Sequence, residues 1–275
     1  MMDRRLTPSN GTVAAKHLQG QVEATSFVQG TPKQVGIAFA DLLRAPGGRR
    51  DRQVLFGEQV QVFDTQDGFS FIQADKDGYC GYVAHDALID AVQPTHFLAV
   101  PSSHLYTAPD FKSADRMAVS FGTRLTVGHE EKKYFALTNG LFVPKPHVRP
   151  LDQPFRDPVT VAQLHFGSPY LWGGNTVWGL DCSGLVQSAY ITCGIDCPGD
   201  SDLQENTLGH DIPADAPLQR GDLLFWDGHV AFVVDPDTMI HANVHHMAVA
   251  YEPIKPAIAR IQAQGDGPVT SRKRM

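Results

Sequence analysis

The sequence predicts an α+β chain with an all-β front and a mixed last part. Three observations carry this. The front holds short apolar runs separated by Gly and Asp turn signals. Those runs recur in a second copy. From residue 151 onward helical spacing comes first and strand-like runs follow, the order of an α+β domain with an antiparallel sheet. At 275 residues the chain has room for about two domains or three small ones. Hydrophobic residues make up 42% and charged ones 19%, which excludes a disordered chain. The net charge of −7 argues against a nucleic-acid surface. No window of 18 apolar residues exists, so no membrane span is expected. Met1 to Arg5 lead into Leu-Thr-Pro-Ser-Asn-Gly with no apolar core of a leader, and the expected location is cytoplasmic.

Residues 1–33 are polar with little periodicity and read as an arm, either lying on the other domains or disordered. Residues 34–94 read as a first small all-β domain, through Val35 to Ala40, Val60 to Phe63, Phe69 to Ile72 and Tyr79 to Val83. Residues 95–150 repeat it. Phe56-Gly57-Glu-Gln-Val-Gln-Val62 answers Phe121-Gly122-Thr-Arg-Leu-Thr-Val127, and Asp77 to Val83 is echoed weakly by Asn139 to Val143. Pro144, Pro146, Pro150 and Pro154 mark a stiff linker. The mixed domain spans 151–265. Its expected elements are a helix from Val161 to Phe166, a helix after Asp181, and a helix beginning at Asp200-Ser201. Strands follow around Leu223 to Trp226, His229, His241 and His246 to Tyr251, then a helix from Pro256 to Gln264. Residues 266–275 read as a mobile basic tail.

The stretch 168–188 organises the chain. Tyr170 and Trp172 precede Gly173, Gly174 and Gly179, and Asp181-Cys182-Ser183-Gly184 opens an apolar run at helical spacing. Asp181 or Ser183 can cap that helix. The positive end of the helix dipole favours a thiolate at Cys182, the reactive form of the side chain. His229 and His241 each sit at the end of an apolar run. Two adjacent antiparallel strands would bring both imidazoles to the helix start, one as base and one to orient it. A buried structural role is the alternative for Cys182, and a satisfied core position for either His. Cys80, Cys193 and Cys197 read as core or loop residues without zinc-like spacing.

These segments, Tyr170-Leu-Trp-Gly-Gly, Asp181-Cys182-Ser183-Gly184, Gly228-His229-Val230 and His241-Ala242-Asn243, resemble the NlpC/p60-type papain-like cysteine peptidases. The resemblance covers the last 110–120 residues. The two front domains are similar to bacterial SH3-like barrels, which accompany such peptidases. The resemblance implies a papain-like domain behind two small all-β SH3-like barrels that pack on it. It implies a Cys182-His229-His241 triad, with the Tyr170 hydroxyl in the oxyanion hole. Asp181, Ser183, Asp200, Ser201 and Tyr79 would surround the substrate, Tyr79 by closing one end of the cleft. Ser201-x-x-Gln204 also reads as a capping box. The turn after Arg44 lacks the family's acidic residue until Asp51, which leaves the anchor of the substrate's amine unassigned. No metal or cofactor is implied. The expected activity is an endopeptidase for the γ-D-glutamyl–diamino acid bond of short murein peptides with a free N-terminal L-Ala, in recycling. An exported wall hydrolase, a non-catalytic peptide-binding module and an acyltransferase or amidase are the alternatives.

Overall fold

A computed structural model describes residues 2–275 in two compact units, 2–153 and 154–275. In the first unit, the alternation of apolar and polar residues yields two barrels of the same topology. A seven-stranded sheet runs in the order Arg50–Leu55, Phe39–Leu43, Cys80–Ala84, Phe69–Ala74, Gln59–Gln66, Thr31–Val35, Leu88–Asp90. The second copy keeps that order but breaks it into two sheets. Five strands run Asp115–Ser120, Ser102–Tyr106, Phe142–Pro144, Tyr134–Leu137, Val127–Glu131, and three run Arg124–Leu125, His96–Leu98, Val148–Pro150. The answering Phe-Gly pairs do the same work in both. Gly57 and Gly122 have φ of 75° and 82°, the left-handed region that glycine enters without a Cβ penalty. Their N–H groups donate to Val35 O and Leu98 O, each at 2.9 Å. Arg124 N–H donates to Phe56 O at 3.0 Å, tying one barrel to the other.

The arm is ordered and packs on the first barrel. Val13–Ala15 pairs in parallel with Ser26–Val28, Ala14 and Leu18 are buried, and Asn10 Nδ2 donates to Asp64 Oδ2 at 2.9 Å. It ends by residue 30, because Thr31–Val35 is already a barrel strand.

The second unit sets four helices, α1 (Pro158–Gln163), α2 (Cys182–Thr192), α3 (Ser201–Thr207) and α4 (Ile254–Gln264), with a six-stranded antiparallel sheet. Its strands are β1 (His210–Asp211), β2 (Leu223–Trp226), β3 (His229–Asp235), β4 (Thr238–Asn243), β5 (Ala248–Pro253) and β6 (Ser271–Arg274), in the order β1-β6-β2-β3-β4-β5. Asp157 caps α1 by accepting from Val159 N–H at 3.0 Å, with Pro158 in the first turn. Nearly every face of α2 is buried, which marks a core helix. It packs on β3 and β4, where Tyr190 meets Phe232 at a ring separation of 5.3 Å. Helix α4 closes the sheet's other apolar cluster through Ile254, Ala257 and Ile261 against Leu224, Trp226 and Met239. No helix among the described residues is long and apolar enough to cross a membrane.

The basic tail is corrected by the structure. Residues 271–274 form β6, paired with both β1 and β2. The Arg274 guanidinium clasps buried Asp222 with two hydrogen bonds of 2.7 Å. A run of Lys and Arg reads as solvated, but here alternate positions supply backbone to a sheet edge and one cation finds a buried carboxylate.

Candidate active site

The glycine-rich loop and the start of α2 are built around Asp181. Its Oδ1 accepts from Gly184 N–H at 2.6 Å and from Ser183 Oγ at 3.1 Å, and its Oδ2 accepts from Gly173 N–H at 2.9 Å. One carboxylate therefore caps the helix and ties the loop to it. Asp181 is the cap and Ser183 its ligand, and both are buried. Gly184 is required by close approach. A Cβ there would come within 2.7 Å of Gly174 O and Asn175 Oδ1.

Cys182 is the first residue of α2 and only 7% exposed. Its thiol donates to Gly228 O at 4.0 Å, and Val230 N–H faces the sulfur from beyond His229. The sulfur thus lies beside the stretch that carries His229. Burial, with the charge of Asp181 second, pushes the Cys182 thiol up to about 12. This burial opposes the bias toward a thiolate that the helix start supplies. A helix terminus contributes about 0.3–1 kcal/mol, less than the ~1.4 kcal/mol that one pH unit is worth, and desolvation outweighs it.

His229 opens β3 and His241 lies on β4, its partner strand. His229 Nε2 and His241 Nδ1 are 2.7 Å apart. Burial, and next the neighbouring His241, push the His229 imidazole down to about 3. The hydrogen-bonded run continues beyond the residues that sequence reasoning singled out. His241 Nε2 lies 2.8 Å from Glu252 Oε2. Arg260 on α4 holds the same carboxylate through Nη2 to Oε2 at 2.6 Å and Nε to Oε1 at 3.2 Å. No sequence signal marked Glu252, since a lone acidic residue at the end of an alternating strand reads as solvent-facing.

Tyr170 N–H donates to Met247 O at 2.8 Å, and the phenol is raised by burial and then by the nearby Cys182 and Asp181. Tyr170, Trp172, Gly228, His229, His241 and Arg260 are among the residues lining a cleft of about 190 Å³. Ser201 is the first residue of α3, and the N-cap is Asp200, which makes no side-chain capping bond. The expected capping box does not form. The Gln204 amide instead donates to Ser183 O at 2.9 Å and Pro198 O at 3.0 Å, clamping α3 to the start of α2. Tyr79 lies in the first unit, in the core of its barrel, with the Arg52 guanidinium 5.9 Å from its ring.

Among the described residues, one group could receive a metal ion. Ligand atoms of His245, His246 and Glu252 lie within 4.8 Å of one another. A cation there would compete with His241 and Arg260 for Glu252, and with Asn243 Oδ1, 3.0 Å from His246 Nδ1.

Comparison with known proteins gives the family of each part. Residues 167–262 match the NlpC/P60 family, and residues 42–88 match the bacterial dipeptidyl-peptidase SH3 domain. The second barrel lies outside that match, and its kinship to the first rests on topology. The chain is 29% identical over 156 residues to a γ-D-glutamyl-L-lysine dipeptidyl-peptidase of Bacillus subtilis, covering 50% of this chain and 51% of that protein. It is 36% identical over 91 residues to dipeptidyl-peptidase 6 of Lysinibacillus sphaericus, 33% of each. These matches span from a third to about half of the relatives' lengths. A solved NlpC/P60 family protein from Bacillus cereus superposes with a TM-score of 0.74 at 22% identity, over 89% of this chain and 99% of that one. The likeness is one of fold, papain-like behind SH3-type barrels. This chain is thus one that joins an NlpC/P60 domain to a bacterial dipeptidyl-peptidase SH3 domain.

Proposed function

We propose that the chain is a cysteine peptidase that cleaves the γ-D-glutamyl–diamino acid bond of short murein peptides with a free N-terminal L-Ala. One observation carries the reading: a cysteine at a helix N-terminus beside a strand whose first residue, His229, is hydrogen-bonded to His241. The relatives' printed names supply the substrate class, and "dipeptidyl-peptidase" supplies the free amine. In this mechanism Cys182 Sγ attacks the γ-carbonyl carbon and its proton passes to His229. The Tyr170 hydroxyl and the Cys182 N–H stabilise the oxyanion. His229 then protonates the departing amine, leaving a thioester. Water, deprotonated by His229, attacks that thioester and releases the dipeptide.

Both Asp181 oxygens are engaged by loop and helix donors, so the proposed role of Asp181 and Ser183 is to shape the substrate's wall. Asp200 and Ser201, held close to α2 by Gln204, are the proposed contacts for the substrate's amine. Mass spectrometry of products from stem peptides with free and blocked N-termini tests the proposal. L-Ala-D-Glu released only from free-amine peptides, and lost in Cys182→Ala, is the expected result. Turnover confined to blocked peptides, or solubilised intact sacculi, would overturn the substrate assignment. Unchanged turnover in Cys182→Ala would overturn the nucleophile.

A further inference from the structure

We infer that Glu252, anchored by Arg260, is the positioning residue that fixes which nitrogen of each imidazole carries the proton, so that His229 is left with its base at Nδ1. The inference rests on the proposed role of His229, and it follows from donor and acceptor accounting. An ionised carboxylate only accepts hydrogen bonds. Both Glu252 oxygens accept from the Arg260 guanidinium, which has only donors, at 3.2 and 2.6 Å. This ion pair keeps the carboxylate an acceptor towards His241. His241 must then donate its Nε2–H to Glu252 Oε2 across 2.8 Å. A neutral imidazole has one N–H, so His241 Nδ1 is a bare acceptor. The 2.7 Å contact with His229 Nε2 is satisfied only if His229 donates there. His229 Nδ1 is then the bare nitrogen, free to take the proton of Cys182. One charge three side chains from the sulfur thus sets the direction of every bond between them.

Arg260 has a separate part. Glu252 alone would draw a proton onto His241, since its hydrogen bond and charge raise that imidazole. Burial first, and then the charges of Arg260 and His246, press it down. The groups facing this imidazole are Glu252, Arg260, His229 and His246, which lies 4.0 Å from Glu252. Arg260 also takes up both carboxylate oxygens, which stops Glu252 from rotating away. Keeping His241 neutral matters, because an imidazolium donates at both nitrogens and would turn the His229 ring's proton to Nδ1.

Two variants test this. In Glu252→Leu, His241 Nε2–H loses the oxygen that accepts it, Oε2, and nothing fixes the direction of the bonds beyond it. We expect the Nδ1–H form of His229 to appear beside the Nε2–H form, read by 15N shifts of the imidazoles. We expect kcat to fall ~10²–10⁴-fold with KM moving less than threefold, by analogy with reversing a triad tautomer. In Arg260→Met, a change at a partly exposed site, the acid limb of kcat should move to higher pH. Unchanged ring shifts in Glu252→Leu, or an unmoved acid limb in Arg260→Met, would overturn the inference. A merely structural pair would lower folded yield without either signature. The ring-shift measurement needs no substrate, so it decides this inference even if the parent protein cleaves none of the murein peptides, the result that would sink the proposed function.

Discussion

Replacing Asp181 by Ala tests how the nucleophile loop is held. The carboxylate accepts from Gly184 N–H, Ser183 Oγ and Gly173 N–H at 2.6, 3.1 and 2.9 Å. Bonds to an ionised group contribute about 1.5–3 kcal/mol each, and loss of an N-cap alone costs about 0.5–2 kcal/mol. The variant also escapes the cost of burying a charge, so the terms do not sum. We expect a net loss of about 2–4 kcal/mol against a typical stability of about 5–15 kcal/mol. The protein still folds, and urea denaturation with an unchanged m-value reads the difference. The thiol moves the other way. Asp181 is the second cause of its rise, so without that charge Cys182 ionises at lower pH. The pH midpoint of its alkylation by iodoacetamide should fall. A stability loss under about 1 kcal/mol, or an alkylation midpoint that stays or rises, would refute the reasoning that one carboxylate both ties the loop and holds the thiol neutral.

Other perturbations have defined outcomes. Tyr170→Phe should lower kcat ~10²–10³-fold with little change in KM, as removal of an oxyanion donor does; steady-state kinetics on the free tripeptide would show it, and an unaffected kcat would return Tyr170 to packing. Gly184→Ala gains about 1 kcal/mol of helix propensity but drives a Cβ to 2.7 Å from two oxygens, and overpacking costs about 1–3 kcal/mol; a lowered Tm is expected, and a raised one contradicts the close approach. His165 and His229 are held down to about 4 and about 3 by burial. The folded protein refuses protons that the unfolded chain accepts below 6.5, so stability present above pH 6.5 is lost as pH falls, by at most ~2.7 kcal/mol per pH unit for the two. Urea titrations at pH 7, 6 and 5 read this, and a flat profile refutes it. Deleting residues 271–275 removes β6 from between β1 and β2 and strips Asp222 of Arg274; faster amide exchange in β2 is expected, and unchanged protection would show that the tail only decorates the sheet.

The sequence by itself determined what is local or repeated. The Asp181-Cys182-Ser183-Gly184 run names a cap, a helix start and a nucleophile candidate, because capping chemistry acts over three residues. The doubled Phe-Gly signatures announce two barrels of one topology, because a positive-φ glycine is needed wherever that turn recurs. His229 was legible as a strand-end imidazole, while His241 lies within its strand, not at its end. Tertiary structure alone decided the rest. Whether Cys182 rests as thiol or thiolate depends on how deeply α2 is buried, and burial is a property of the packed unit. Gln204 looked like half of a capping box until the loop from Pro198 came within reach of its amide. The Lys-Arg tail became a strand because Asp222, 52 residues away in sequence, lies buried under its edge. Glu252 and Arg260 entered the site because β5 lies beside β4 and α4 folds back over it. Side-chain charge is written in the sequence, but which proton it directs is set by distances of under 3 Å that only the assembled sheet creates.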